Sequence, residues 1–206
     1  MAHVAKRRTQ ADRRAAGRRA LVEGTIEALS EMGFAATTSQ EIVRRAECTT
    51  GAIQHHFGSK NGLYIAVLNQ LLDEFVAALD EFPAPTEPLA DRCEQTISTL
   101  VSLYTSPRYS AAFSLVLGAQ HDADLRDLIA EQRRGSLKIT RQAWRKVFAD
   151  TGVPEDKLQS LLEIVVGVLR DFHFNKTVDA EEARAKIETN IALLKRMVLS
   201  ELQAGR

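Results

Sequence analysis

The spacing of apolar residues decides what this chain can fold into. Along nearly its whole length Leu, Ile, Val, Ala and Phe recur at helical intervals. No β-branched run bounded by turn dipeptides interrupts them, and no period-2 stretch is long enough for a sheet. The reading is an all-α chain of about nine helices, and the low aromatic content of 6% agrees with it. With 206 residues, 45% of them hydrophobic, such a chain can bury a core without staples. Disordered, collagen-like and disulfide-stapled classes are excluded. Cys48 and Cys93 have no metal or redox spacing, so a reducing cytoplasm is the expected compartment. No apolar run approaches the roughly 18 residues that span a bilayer, and the basic N-terminus lacks the apolar stretch of a signal peptide. A soluble protein without a membrane partner is expected.

Local signals place the elements. A first helix is predicted from Gln10 to Met32, closed by Gly33. Thr38 and Glu41 have the spacing of a capping box, which starts a short helix at Ser39–Arg45. Ala46-Glu47-Cys48 turns the chain, and Thr49 is placed to cap a third helix, Thr50 to His56. Ser59 caps a long fourth helix from Lys60 to about Leu79. Phe82-Pro83-Ala84-Pro85-Thr86-Glu87-Pro88 breaks the chain. Further helices are predicted at about 88–105, 107–119, 122–150, 154–175 and 179–204, with Pro107 and Pro154 at tolerated first-turn positions.

A net charge of zero hides an asymmetry: residues 1–60 carry ten Lys/Arg against six Asp/Glu, and the remainder seventeen against twenty-one. Within the first twenty residues Lys6, Arg7, Arg8, Arg13, Arg14, Arg18 and Arg19 face only Asp12. A basic head on an acidic body suggests a polyanion-binding module; a solvated basic tail is the alternative. Two short helices joined by a tight turn describe a helix-turn-helix, whose second helix can lie in a major groove with its N-terminal side chains at base edges.

The residues are more specific than the pattern. Gly33-Phe34, Thr37-Thr38, Glu41-Ile42-Val43, Arg45-Ala46, Thr49-Thr50-Gly51-Ala52-Ile53, His56-Phe57-Gly58-Ser59-Lys60 and Leu63 stand in order. Residues 17–63 thereby resemble the DNA-binding domain of the TetR family of bacterial transcriptional regulators. Two departures stand out. Gln54 and His55 occupy positions that are aromatic in many members, and Cys48 replaces the usual Val or Ile of the turn, where it can still pack. The resemblance implies Thr50 and Gln54 as base contacts: Gln can grip adenine, and the Thr methyl can pack on a thymine methyl. It further implies Thr38 at a phosphate, Ser39 near a base, and Thr49 and His55 at phosphate or sugar. Lys60 at a helix N-terminus suits a phosphate. His56 is read as packing rather than as a phosphate contact. Adjacent His55 and His56 point about 100° apart and make no metal site. The segment Lys6–Arg19 either follows DNA, along phosphates or in a minor groove, or is a tail.

The implied organisation is a basic flexible arm at 1–9, a three-helix DNA-binding domain at 10–62 with its helix-turn-helix at about 38–57, and a ligand-binding and dimerisation domain at 63–206. Leu158, Leu162, Val165 and Leu169 leave the 154–175 helix little polar face, and Ile187, Ile191, Leu194 and Val198 repeat the pattern on the last helix. A four-helix bundle across a two-fold axis would cover both, although core helices of a monomer would read alike. A homodimer would place two recognition helices on a palindromic operator. Tyr104, Phe113, Trp144, Phe148 and Phe172 are candidate lining for a small-molecule inducer pocket, with core packing the alternative. His121-Asp122-Ala123-Asp124 caps a helix rather than holding a metal. No cofactor is expected. The expected function is a ligand-responsive repressor. An architectural, ligand-independent DNA binder and a helical enzyme are the rivals; phosphate loops, nucleophile elbows and zinc motifs are missing from the sequence.

Overall fold

A computed structural model describes residues 9–205, the side chains of His121 and Arg184 excepted. Among the described residues the chain is all-helical, with nine α-helices: α1 (Gln10–Ala36), α2 (Ser39–Arg45), α3 (Gly51–Phe57), α4 (Lys60–Leu79), α5 (Leu89–Thr105), α6 (Pro107–Gly118), α7 (Ala123–Val147), α8 (Glu155–Val178) and α9 (Ala180–Gln203). Short 3-10 turns follow α6 and α7. Lys6, Arg7 and Arg8 of the expected arm lie outside the described residues, whereas Arg13, Arg14, Arg18 and Arg19 are exposed positions of α1.

Capping chemistry sets the starts of the helices. Thr9 and Asp12 form a reciprocal capping box at α1: the Asp12 N–H donates to Thr9 Oγ1 at 3.1 Å and the Thr9 N–H to Asp12 Oδ2 at 2.9 Å. These bonds also hold the Asp12 carboxyl below its ordinary pKa. At α2 the box is half made. Thr38 Oγ1 accepts from the Glu41 N–H at 3.2 Å, but the Thr38 N–H donates to the Ala36 carbonyl instead. Thr50, not Thr49, precedes α3, and no side-chain bond caps that helix. Asp179 caps α9 through the N–H groups of Glu181 and Glu182.

The chain forms two compact units, whose boundaries fall inside α4, α6 and α7. The first runs through Leu71 and also includes Ala111–Ile129. Leu21, Val22, Ile26 and Leu29 of α1 pack with Ile42 and Val43 of α2, Ile53 of α3 and Leu63, Tyr64 and Val67 of α4. Ala111, Leu115, Leu125 and Ile129 belong to the same core, so compactness groups residues 111–129 with the N-terminal helices. Helical geometry breaks at Gly33 (φ 75°), where the first helix was expected to close. The turn carries Phe34 to the Tyr64 ring, centroids 5.3 Å apart. Gly118 lies against the same Phe34, and a Cβ there would overlap the ring. The Asn61 side chain donates to Asp122, which also caps α7 through the Leu125 N–H.

One expectation about membranes changes here. α4 is 20 residues with a mean hydropathy of 1.4, long and apolar enough to cross a bilayer by that measure. Its Leu63, Tyr64, Val67, Leu68 and Leu71 are instead buried in the first core.

The second unit consists of Leu72–Ser110 and the chain from Ala130 onward. α5 packs against both α8 and α9, and these two pack on each other. Ile97 and Leu100 meet Leu162, Val165, Leu169, Leu194 and Val198 in one core. Arg92 is buried in the same unit. Its guanidinium donates to the Val147 carbonyl and, through two nitrogens, to both carboxylate oxygens of Asp150 at 2.7 and 2.9 Å. Such a bidentate pair ties α5 to the end of α7.

This packing shows where the residues expected at a dimer face lie within the single chain. Leu158, Leu162, Val165, Leu169, Leu194 and Val198 are at most 6% exposed in the single chain. They are covered by their own core and leave little area for a second subunit. Ile187 and Ile191 are half-buried, and the apolar side chains left open on α8 and α9 are Ile164, Phe174, Val178, Leu193 and Met197.

The contact between Gly118 and Phe34 gives a stability prediction. Gly118→Ala forces the Phe34 ring to move and should lower the unfolding free energy by roughly 1–3 kcal/mol. Urea denaturation of the purified protein measures it; an unchanged midpoint would mean the ring moves aside without cost.

Candidate nucleic-acid interface

The helix-turn-helix is built outward from three apolar anchors. Ile42 and Val43 seat α2 and Ile53 seats α3, all three buried. Between them Glu47 turns with φ 50°, the one positive value at a non-glycine among the described residues. The Cys48 N–H donates back to the Val43 carbonyl at 2.9 Å. Cys48 is half-buried against the core, as a packing residue would be. With Ile53 inward, Thr50 and Gln54 lie four residues apart on one helical face, and both are exposed. Thr49 and His55 are exposed beside them, Thr38 is exposed at the α2 start, and Ser39 is half-buried.

Charge is concentrated around this face and partly tied down. Glu41 accepts from Arg44 at 2.6 and 2.8 Å and from Arg45 at 2.7 Å, and Arg45 also reaches Glu31 at 2.7 Å. Arg44 remains 66% exposed and Arg45 only 13%. Arg45 therefore fastens α2 to α1, while Arg44 stays available at the surface. On α1, Arg18 lies 5.1 Å from the Phe57 ring centroid, a cation–π contact. His56 is half-buried, and its ring lies 5.0 Å from that of His55. Burial, with His55, Arg14 and Arg18 nearby, pushes its pKa down, so the ring is neutral at pH 7. A neutral, partly covered imidazole fits the packing role expected for it.

Lys60 opens α4 half-buried, its ammonium 5.3 Å from the Tyr64 ring centroid, and burial lowers its pKa. The structure thus brings Thr38, Ser39, Thr49, Thr50, Gln54, His55 and Lys60 onto the short segment from α2 to the start of α4. Arg44 belongs to the same surroundings and was missed by sequence reasoning, whereas Arg18 lies in the basic Lys6–Arg19 segment that the sequence already marked. For Arg44 the available signal was its spacing of three residues from Glu41 on a short helix.

Residues 21–67 match the bacterial regulatory proteins of the tetR family. The HTH-type transcriptional regulator CymR of Pseudomonas putida is 24% identical over 165 residues, covering 80% of this chain and 81% of that protein. A transcriptional regulator from Rhodococcus sp. Rha1 has the same fold, with a TM-score of 0.72 at 20% identity over 89% of this chain and 96% of that one. FadR of Bacillus subtilis, solved in complex with stearoyl-CoA, aligns with a TM-score of 0.59 at 17% identity, covering 91% of this chain and 98% of its own. Residues 21–67 are a DNA-binding domain of the TetR-family type, and over most of its length the chain is similar to TetR-family regulators. It is a DNA-binding transcriptional regulator, not an enzyme.

In this regulator the aromatic residues expected at a ligand pocket are dispersed. Trp144 and Phe148 are fully buried and meet edge-on, centroids 4.8 Å apart, in the second core. Tyr104 is buried in that unit, and Phe113 falls in the first. Phe172 lines a cleft of about 300 Å³ between α8 and α9, with Ile187 and Ile191. Among the described residues no group of three His, Cys, Asp or Glu side chains could hold a metal ion.

The Glu41 cluster predicts a pH profile. Hydrogen bonds from Arg44 and Arg45 hold the Glu41 pKa at about 2, against 4.5 for an ordinary glutamate. A depressed folded value means the cluster's contribution is complete above the ordinary range and fades as pH falls through about 2. An NMR titration of side-chain carboxyls should find the Glu41 midpoint near 2; a midpoint near 4.5 would show that the arginines do not hold it in solution.

Proposed function

We propose that this regulator is a homodimeric repressor that binds a palindromic operator and leaves it when a small molecule binds residues 63–206. The observation that carries the reading is the exposed Thr50–Gln54 face of α3, backed by buried Ile53. A helix anchored on one side and polar on the other is what a major groove admits. Residues 10–62 are assigned to DNA. Thr50 and Gln54 read bases, and Ser39 approaches one. Thr38, Thr49, His55 and Lys60 meet the sugar-phosphate backbone. Arg44 and Arg18 add sequence-independent attraction.

The dimer is assigned to the outer faces of α8 and α9. Leu193 and Met197 are 57% and 38% exposed four residues apart, Ile164 of α8 is 46% exposed, and Ile187 and Ile191 are half-buried. Apolar side chains at helical spacing on two packed helices suit an isologous contact. Ligand response is supported by the same fold in FadR, which was solved holding stearoyl-CoA. The protein would work in the cytoplasm, where its DNA lies.

Selection of bound sequences from a random DNA pool with the full-length protein tests the reading. Recovery of a palindrome is expected. Enrichment of asymmetric sites, or of none at low and moderate salt, would overturn it. On the selected site, Gln54→Ala should lose about 1–3 kcal/mol of discrimination at one base pair. Lys60→Ala should weaken all sequences alike and make the salt dependence shallower. Leu193→Glu should shift the protein toward monomer in sedimentation and weaken operator binding. An unchanged sedimentation profile would remove α9 from the interface.

A further inference from the structure

The far end of α3 carries a group of rings and cations that reading bases does not use. His56 stands one residue from the end of that helix and is half-buried. Its ring lies 5.0 Å from that of His55 and 6.2 Å from that of Phe57. Across from it is α1: a Cβ on Gly17 would stand 3.4 Å from His56 Nε2, so the imidazole lies close against that helix. Arg14 is one turn before Gly17 and Arg18 is next to it, so all three share the side of α1 that meets α3. Arg18 is fixed there by its place over the Phe57 ring, 5.1 Å from the centroid. Both arginines are exposed.

The charges facing the His56 ring are therefore all of one sign: His55 on its own helix, when protonated, and Arg14 and Arg18 of α1. Among the described residues no ion pair joins these groups to an acid. The acids of the helices packed on α3 are engaged elsewhere. Asp12 of α1 accepts from the Thr9 N–H, Glu23 from the Gln70 side chain, and Glu31 and Glu41 hold Arg45. Arg44 of α2 is likewise paired with Glu41, and the Lys60 ammonium of α4 lies over Tyr64.

Partial burial and these neighbours disfavour an imidazolium, and His56 is neutral at pH 7 in the free protein. DNA reverses the sign of the surroundings. With Thr49 and His55 at the sugar-phosphate backbone, phosphates arrive beside a group of cations that lacks an anion. They lower the cost of one more positive charge there.

We propose that DNA binding by this regulator is coupled to uptake of a proton at His56, so that affinity for DNA rises as pH falls through the neutral range. His56 stays packed on α1 throughout; only its charge changes. The inference rests on the placement of α3 at DNA given above and adds a proton to that equilibrium. By linkage the state that binds more protons gains as pH falls, and here that state is the complex.

NMR titration of the histidine rings of the full-length protein, free and with a duplex carrying the selected site, reads His56 directly. A mixed-sequence duplex at low salt serves as the second probe. The His56 midpoint should lie below the ordinary 6.5 in the free protein and rise by about one pH unit with DNA. At constant salt, binding should tighten about three- to tenfold for each protomer bound between about pH 8 and about pH 6. His56→Gln, which keeps a neutral polar side chain, should remove most of that dependence. Arg14→Gln combined with Arg18→Gln should raise the midpoint in the free protein, because the repelling charges are gone. Both positions are exposed, so this variant serves if His56→Gln does not fold. A midpoint that DNA leaves unmoved, an affinity that is flat or weakens toward acid pH, or an equal pH dependence in His56→Gln would each overturn the inference.

Gln54→Ala on the selected site separates the proton from the placement of α3. Lost discrimination with an unmoved His56 midpoint would overturn the proton uptake and leave the placement standing. Unchanged discrimination with an unmoved midpoint would overturn both.

Discussion

A seven-residue helix has no stability of its own in water, because nucleation costs more than so few hydrogen bonds return. α2 and α3 are both that short. Their existence depends on burying Ile42, Val43 and Ile53 against Leu21, Ile26 and Leu29 of α1 and Leu63 and Val67 of α4. The same burial turns Thr50 and Gln54 outward. The nucleic-acid face is thus a by-product of core packing, and the surrounding charges refine it. Arg45 clips α2 to α1 through Glu41 and Glu31, and the Glu47 turn delivers α3 at a fixed place in the chain.

The second unit is organised around α5. Its apolar side meets α8 and α9, and its one buried charge, Arg92, is spent on the end of α7. A charge buried with a bidentate partner and a carbonyl is costly to leave unpaired, which makes that junction specific.

Local chemistry was legible wherever it acts over a few residues. The starts of α2, α4 and α9 and the break at Gly33 follow from caps and glycine. The Thr9–Asp12 box was equally local and was overlooked. The Thr38–Glu41 spacing promised a reciprocal box, but the Glu41 carboxylate preferred two guanidinium groups to one backbone N–H, a charged partner over a neutral one. Resemblance to the TetR family was readable from the run ending in His56-Phe57-Gly58-Ser59-Lys60, because those residues serve one compact, short-range arrangement.

The sequence by itself determined where the helices start and stop, their order and the segment proposed to face DNA, since caps, glycine and helical spacing act within one or two turns, although α2 and α3 persist only once packed. Tertiary structure decided which apolar faces are spent inside the chain. Periodicity shows that α8 and α9 have apolar stripes; only the position of α5 shows that Leu162, Val165 and Leu194 are covered and that Leu193 and Met197 are left open. It likewise sent Trp144 and Phe148 to the core. Burial and charge pairing belong to neighbours distant along the chain, and a linear pattern carries no record of those neighbours.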